Sequence, residues 1–81
     1  MNPKILIFAR DARTANLYAH HAEIKPGTWI PITRPEDLRG RAGATIHKVT
    51  TWDKNPEAYR IDAMIDVVKR HSDLTVVEVE W

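Results

Sequence analysis

The chain has 81 residues, 43% hydrophobic and 28% charged, with a net charge of +1. That is room for a single globular domain over residues 1–81, not for a disordered tail, and the charge alone does not mark a nucleic-acid binder. It contains no cysteine, which removes disulfide frameworks, thiolate chemistry and the common structural zinc sites.

No apolar run approaches the roughly 18 residues of a membrane span, so no membrane partner is expected. The opening stretch from Met1 to Ala9 is too short for a signal peptide, and a cytoplasmic location is the expectation. Charge is unevenly spread. Residues 1–48 hold eight Lys/Arg against four Asp/Glu, and residues 49–81 hold four against seven. A basic first part and an acidic second part can orient a partner or favour self-association.

Lys4 to Ala9 is a near-continuous apolar run, the pattern of a strand buried on both faces of a parallel sheet. Asp11 is a good N-cap, and Ala12, Ala15, Tyr18, Ala19 and Ala22 follow at helical spacing. Pro26-Gly27 is expected to end that helix. Trp29–Ile32 reads as a short strand, placed at an edge because Pro31 cannot donate to a ladder. Thr33-Arg34-Pro35-Glu36 has the spacing of a capping box and predicts about one helical turn before Gly40. A third strand is expected over residues 44–50, with His47 and Lys48 interrupting its apolar pattern.

Asn55-Pro56-Glu57 then offers a cap, an N1 proline and an acid in the first turn of a helix. Ala58, Ile61, Met64, Ile65 and Val68 make its apolar face, and Lys69, Arg70 and His71 suit the negative end of its dipole. Residues 74–81 alternate, with Thr75, Val77, Val79 and Trp81 on one face and Glu78 and Glu80 on the other. This half-polar pattern predicts a second edge strand.

The order β-α-β-(short helix)-β-α-β predicts a three-layer α/β fold with a four-stranded, mainly parallel sheet and a main helix on each face. Strand orders 2-3-1-4 and 2-1-3-4 both fit. Such a sheet is about 19 Å wide, whereas one helix covers only about 10 Å. The uncovered remainder argues for a homo-oligomer or a protein partner.

Ligands of open α/β sheets bind beyond the carboxyl ends of the strands. Arg10, Arg13 and Arg34 follow strands one and two there, with Arg39 and Arg41 close in sequence, and together they would form an anion or nucleic-acid site. The plainer reading is that arginines line loops because loops are wet. With only three glycines, neither G-x-G-x-x-G nor the P-loop pattern can be written. His20 and His21 are adjacent and cannot share a metal as an i, i+4 pair would. Ser72, the only serine, lies in a turn, and Asp62 and Asp66 have basic neighbours. No catalytic, metal or cofactor site is expected. Trp29, Trp52 and Trp81 are the candidate interface residues.

Ile5-Leu6-Ile7-Phe8-Ala9-Arg10, Arg13-Thr14-Ala15, Gly27-Thr28-Trp29-Ile30-Pro31-Ile32 and Asp37-Leu38-Arg39-Gly40-Arg41 resemble the small α/β proteins of actinobacteriophages of the mycobacteriophage type. Those proteins are in turn similar to a truncated Rossmann-like or nucleoside-triphosphatase-like half-domain. The Trp52-Asp53-Lys54-Asn55-Pro56 turn fits the same pattern, so the likeness spans nearly the whole chain. The opening strand and helix are also similar to the start of a helicase C-terminal domain. The phosphate-binding lysine of such a domain and its acidic pair after strand three are missing. The resemblance implies a nucleotide-binding scaffold without its catalytic parts, a phage protein acting in the host cytoplasm by binding a host protein. It carries no catalytic residue to transfer. The function expected is non-enzymatic protein–protein interaction, and the alternative is an arginine-based phosphate or nucleic-acid module.

Overall fold

The computed structural model describes residues 4–41 and 43–81; Met1–Pro3, which open the first apolar stretch, lie outside them. Four strands, β1 (Ile5–Phe8), β2 (Trp29–Pro31), β3 (Thr45–Val49) and β4 (Thr75–Val79), form one sheet in the order β2-β1-β3-β4. Every pairing is parallel. Helix α1 (Ala12–His21) joins β1 to β2, and α2 (Ala58–His71) joins β3 to β4. The chain steps outward from β1 to β2 in one direction and from β3 to β4 in the other. Crossovers of one hand must then use opposite faces.

The two cores show this division. On one face Leu6, Phe8, Ile32 and Ile46 pack with Ala58, Ile61 and Ile65 of α2, and Leu38 closes the flank. On the other face Ile7, Ala9 and Val49 pack with Ala15, Tyr18 and Ala19 of α1. Leu6, Ile7 and Phe8 are completely buried, as a strand with helices on both sides must be. The α/β architecture expected from the alternating periods is present, with an entirely parallel sheet.

Element boundaries differ from the pattern-based expectation for local reasons. Helix α1 stops at His21, well before Pro26-Gly27, because Glu23 turns left-handed at φ 58°. Ile24 N–H donates to Ala19 O and Glu23 N–H to His20 O, the paired bonds of a Schellman cap. Ala22 at that end is exposed, as is Ala12 in the first turn, and only the middle of the alanine stripe is buried. A glutamate in the position that favours glycine carries backbone strain. Glu23→Gly should therefore raise unfolding free energy by about 1 kcal/mol, a gain of roughly 4–8 °C in Tm by thermal melting; a neutral or lowered Tm would contradict this reading of the cap.

The short helix is a single 3₁₀ turn, Pro35–Leu38. Its capping carboxylate is Asp37, not Glu36: Asp37 Oδ2 accepts from Thr33 N, Arg34 N and Thr33 Oγ1. A second 3₁₀ turn, Trp52–Lys54, follows β3 and delays α2 to Ala58. Asn55 is not the cap of α2. It is buried, its Oδ1 accepts from Glu57 N at 2.8 Å, and its Nδ2 donates to Ala9 O at 3.1 Å. The third and fourth strands are also shorter than residues 44–50 and 74–81.

Candidate functional site

Strand order reverses at β1, so the crevice of this sheet lies beyond the carboxyl ends of β1 and β3. That crevice is spanned by the chain itself through the Asn55-to-Ala9 bond. Thr51 beside it holds φ 74°, unusual for a β-branched residue. At the β1 side, Asp11 caps α1 by accepting from Thr14 N at 2.7 Å, and this bond holds its carboxyl below the usual range. Arg10 leans on the same carboxylate at 3.4 Å.

The five arginines lie on three segments, after β1, after β2 and after the Pro35–Leu38 turn. Arg10, Arg13 and Arg34 are exposed near the carboxyl ends of β1 and β2. Arg39 and Arg41 lie on the return to β3. Arg41 O accepts from Ala44 N, at the amino end of that strand, and its Nε bonds Asp37 O. Asp37 links Arg34 and Arg41, because its Oδ2 accepts from Arg34 N while its carbonyl accepts from Arg41 Nε.

The tryptophans occupy three different settings. Trp29 is half-buried on the α1 face beside Ile5 and Ile24. Trp52 lies 5.3 Å from the Phe8 ring and 6.3 Å from Tyr59. Lys48 Nζ sits 3.9 Å over the Trp52 ring and 2.9 Å from Asp62 Oδ1. The Lys48 side chain is only 15% exposed, and its charge is satisfied by both partners. This lysine site was not evident in the pattern; the signal was that Lys48 follows Ile46 at strand period and so shares its face.

Trp81 packs on Tyr18 and His21 at 5.9 and 5.8 Å. Beneath it Tyr18 Oη and His47 Nδ1 are 2.7 Å apart. Burial lowers the pKa of His47 from its ordinary 6.5 and raises that of Tyr18 from 10.0, so both are neutral at pH 7. Below pH 6.5 the unfolded chain takes up a proton that folded His47 resists, so stability should fall as pH drops from 6.5 towards the lowered folded value. Urea midpoints measured between about pH 5 and 7 should show this slope, and His47→Gln should reduce it; an unchanged slope would assign it elsewhere.

The two sheet edges differ sharply. Ile32 N–H donates to Ile7 O, so alternate residues of β2 face β1 and the missing N–H of Pro31 falls on the outer side. Proline there blunts the edge. On β4, Thr75 N–H donates to Ala44 O and Val79 O accepts from Thr50 N. Thr75, Val77 and Val79 thus turn their main chain towards β3, and Val76 and Glu78 turn theirs outward. Nothing in the described chain covers that row. Helix α1 lies over β1 and β2, and Val79 and Trp81 at the end of β4 reach it, yet Val77 stays 40% and Trp81 45% exposed, with Leu17 exposed on the helix. On the α2 side, β4 borders a groove of about 500 Å³ lined by Lys48, Asp62, Lys69, Val76 and Glu78.

Among the described residues no group of three His, Asp or Glu could hold a metal ion, and no helix is long and apolar enough to cross a membrane. The feature that stands out is the open β4 edge with its apolar sheet face. No protein family, curated protein or solved structure matches the chain.

Proposed function

We propose that this chain is a non-catalytic interaction module, an accessory protein of the small phage α/β kind acting in a host cytoplasm, that binds protein through the β4 edge. The observation that carries this reading is the contrast between the edges. β2 ends in a proline-blunted margin, whereas β4 offers free main-chain donors and acceptors next to exposed Val77. Edge strands left in this condition recruit another strand.

The test uses an edge-blocked variant. The Glu78 N–H points outward, so Glu78→Pro removes an edge donor without breaking the bonds to β3, as Pro31 does on β2. Immobilised wild-type chain should retain a discrete protein, from host extract or a second copy, that Glu78→Pro of native circular dichroism does not. Equal retention by both would overturn the reading.

Arg13 and Arg34 support a second reading, an anion or nucleic-acid surface. Both are exposed, Arg13 in the first turn of α1 and Arg34 at the start of the Pro35–Leu38 turn, and neither forms an ion pair among the described residues. A duplex-DNA mobility shift that vanishes with salt and with Arg13→Ala/Arg34→Ala would favour it. No shift at low salt would remove it.

A further inference from the structure

Resting on the reading of β4 as a binding edge, we propose that its partner is a second copy of this chain, joined β4 to β4 in an antiparallel, two-fold register centred on Val77. The argument starts from the strand itself. β4 runs Thr75–Val79, and Val77 is its midpoint, so this register pairs the strand over its whole length.

It also separates the charges. Antiparallel pairing about Val77 sets Glu78 opposite Val76 of the second copy and Glu80 opposite Leu74. Centring on Glu78 would instead set two carboxylates face to face, which is unfavourable. Centring on Val76 would run Glu80 off the start of the strand, opposite Ser72. The outward main-chain groups of Val76 and Glu78 then bond each other across the axis. Val77, whose N–H faces inward, forms the close pair without hydrogen bonds, where Cα atoms approach to about 4.5 Å.

Charge complementarity selects a second copy over an unrelated strand. Helix α2 ends in Lys69, Arg70 and His71, and only Ser72 and Asp73 separate it from Leu74. The basic end of α2 therefore stands over the start of β4, where Glu80 of the second copy arrives. Val76 and Lys69 line the same groove, and Glu80 alternates with Val79 onto that face. Neither Lys69 nor Glu80 forms an ion pair among the described residues. The two-fold makes this contact twice. The acidic end of one β4 is thus matched to the basic helix end of the other, and Val77 is buried against its own counterpart.

The chain has no cysteine, so a single introduced one reports geometry directly. Val77→Cys should convert most of the protein to a covalent dimer under mild oxidation, since the expected Cα separation suits a disulfide. Val67→Cys, on the exposed outer side of α2, should convert little. Glu80→Lys should weaken self-association about tenfold, roughly 1.4 kcal/mol, and adding Lys69→Glu should restore it. A dimer in which Val77→Cys does not cross-link, or in which the charge swap fails to restore association, overturns this register. A chain that stays monomeric yet retains a host protein lost in Glu78→Pro overturns the second copy and leaves the edge reading intact. A monomer that retains nothing through the edge overturns both.

Discussion

Phe8→Ala should lower unfolding free energy by about 3–5 kcal/mol, enough to leave little folded protein. At about 0.05–0.15 kcal/mol per residue, a chain of this length has only about 4–12 kcal/mol in total. Phe8 is completely buried at the centre of the sheet, and its ring packs against Trp52 at an interplanar angle of 50°. Its removal opens a cavity under α2 and withdraws the support of Trp52, which itself holds the half-buried Lys48. The surrounding Leu6, Ile46 and Ile61 sit on three different elements, β1, β3 and α2, so the space cannot close without moving helix against sheet. Urea unfolding followed by tryptophan fluorescence and far-ultraviolet circular dichroism should show the loss. A midpoint corresponding to less than about 1 kcal/mol would mean that the α2 face repacks freely, contrary to this account.

Asn55→Ala should cost about 2–4 kcal/mol although it removes only a small polar side chain. Asn55 connects two segments 46 residues apart, donating to Ala9 O while accepting from Glu57 N. Alanine leaves a buried carbonyl and a half-buried amide without partners, and each unsatisfied group costs about 1–3 kcal/mol. Asn55→Asp separates the two bonds. A carboxylate still accepts from Glu57 N but faces the Ala9 carbonyl with no proton between them, so it should not rescue stability. Thermal melting of both variants provides the measurement, with native-state hydrogen exchange at Glu57 rising in the alanine variant. An aspartate variant as stable as wild type would show that the Ala9 bond contributes nothing.

These two residues mark what could and could not be read before the structure. The apolar run through Phe8 is legible because a strand buried on both faces needs no alternation, and the spacing of Ile61 and Ile65 is legible for the matching reason on a helix. Asn55, by contrast, looks like a helix cap because its local sequence is that of a cap. Its actual role depends on Ala9, and no local pattern shows a bond over 46 residues. The early end of α1 was hidden in the same way, since nothing in Ala22-Glu23-Ile24 announces a left-handed glutamate.

The candidate site was legible in part. Pro31 marked β2 as an edge, and the alternation of Thr75, Val77 and Val79 with Glu78 marked β4 as the other. Which β4 groups face outward is set by the register with β3, Thr45 beside Thr75 and Lys48 beside Glu78, which a strand of period two leaves open. The arginine group illustrates the limit. Arg34 and Arg41 are seven positions apart, and the Pro35–Leu38 turn between them lets Asp37 O accept from Arg41 Nε while Asp37 Oδ2 accepts from Arg34 N, a placement that no periodicity in this segment shows.

The measurement that bears most directly on β4 as the binding edge is light scattering after size exclusion, run on wild type and Glu78→Pro across a range of concentrations. Wild type should approach twice the mass of the chain as concentration rises, and Glu78→Pro should remain at the mass of one chain while keeping the wild-type circular dichroism. A wild-type chain that is monomeric throughout, or a dimer that Glu78→Pro leaves intact, would contradict the pairing of two copies through β4.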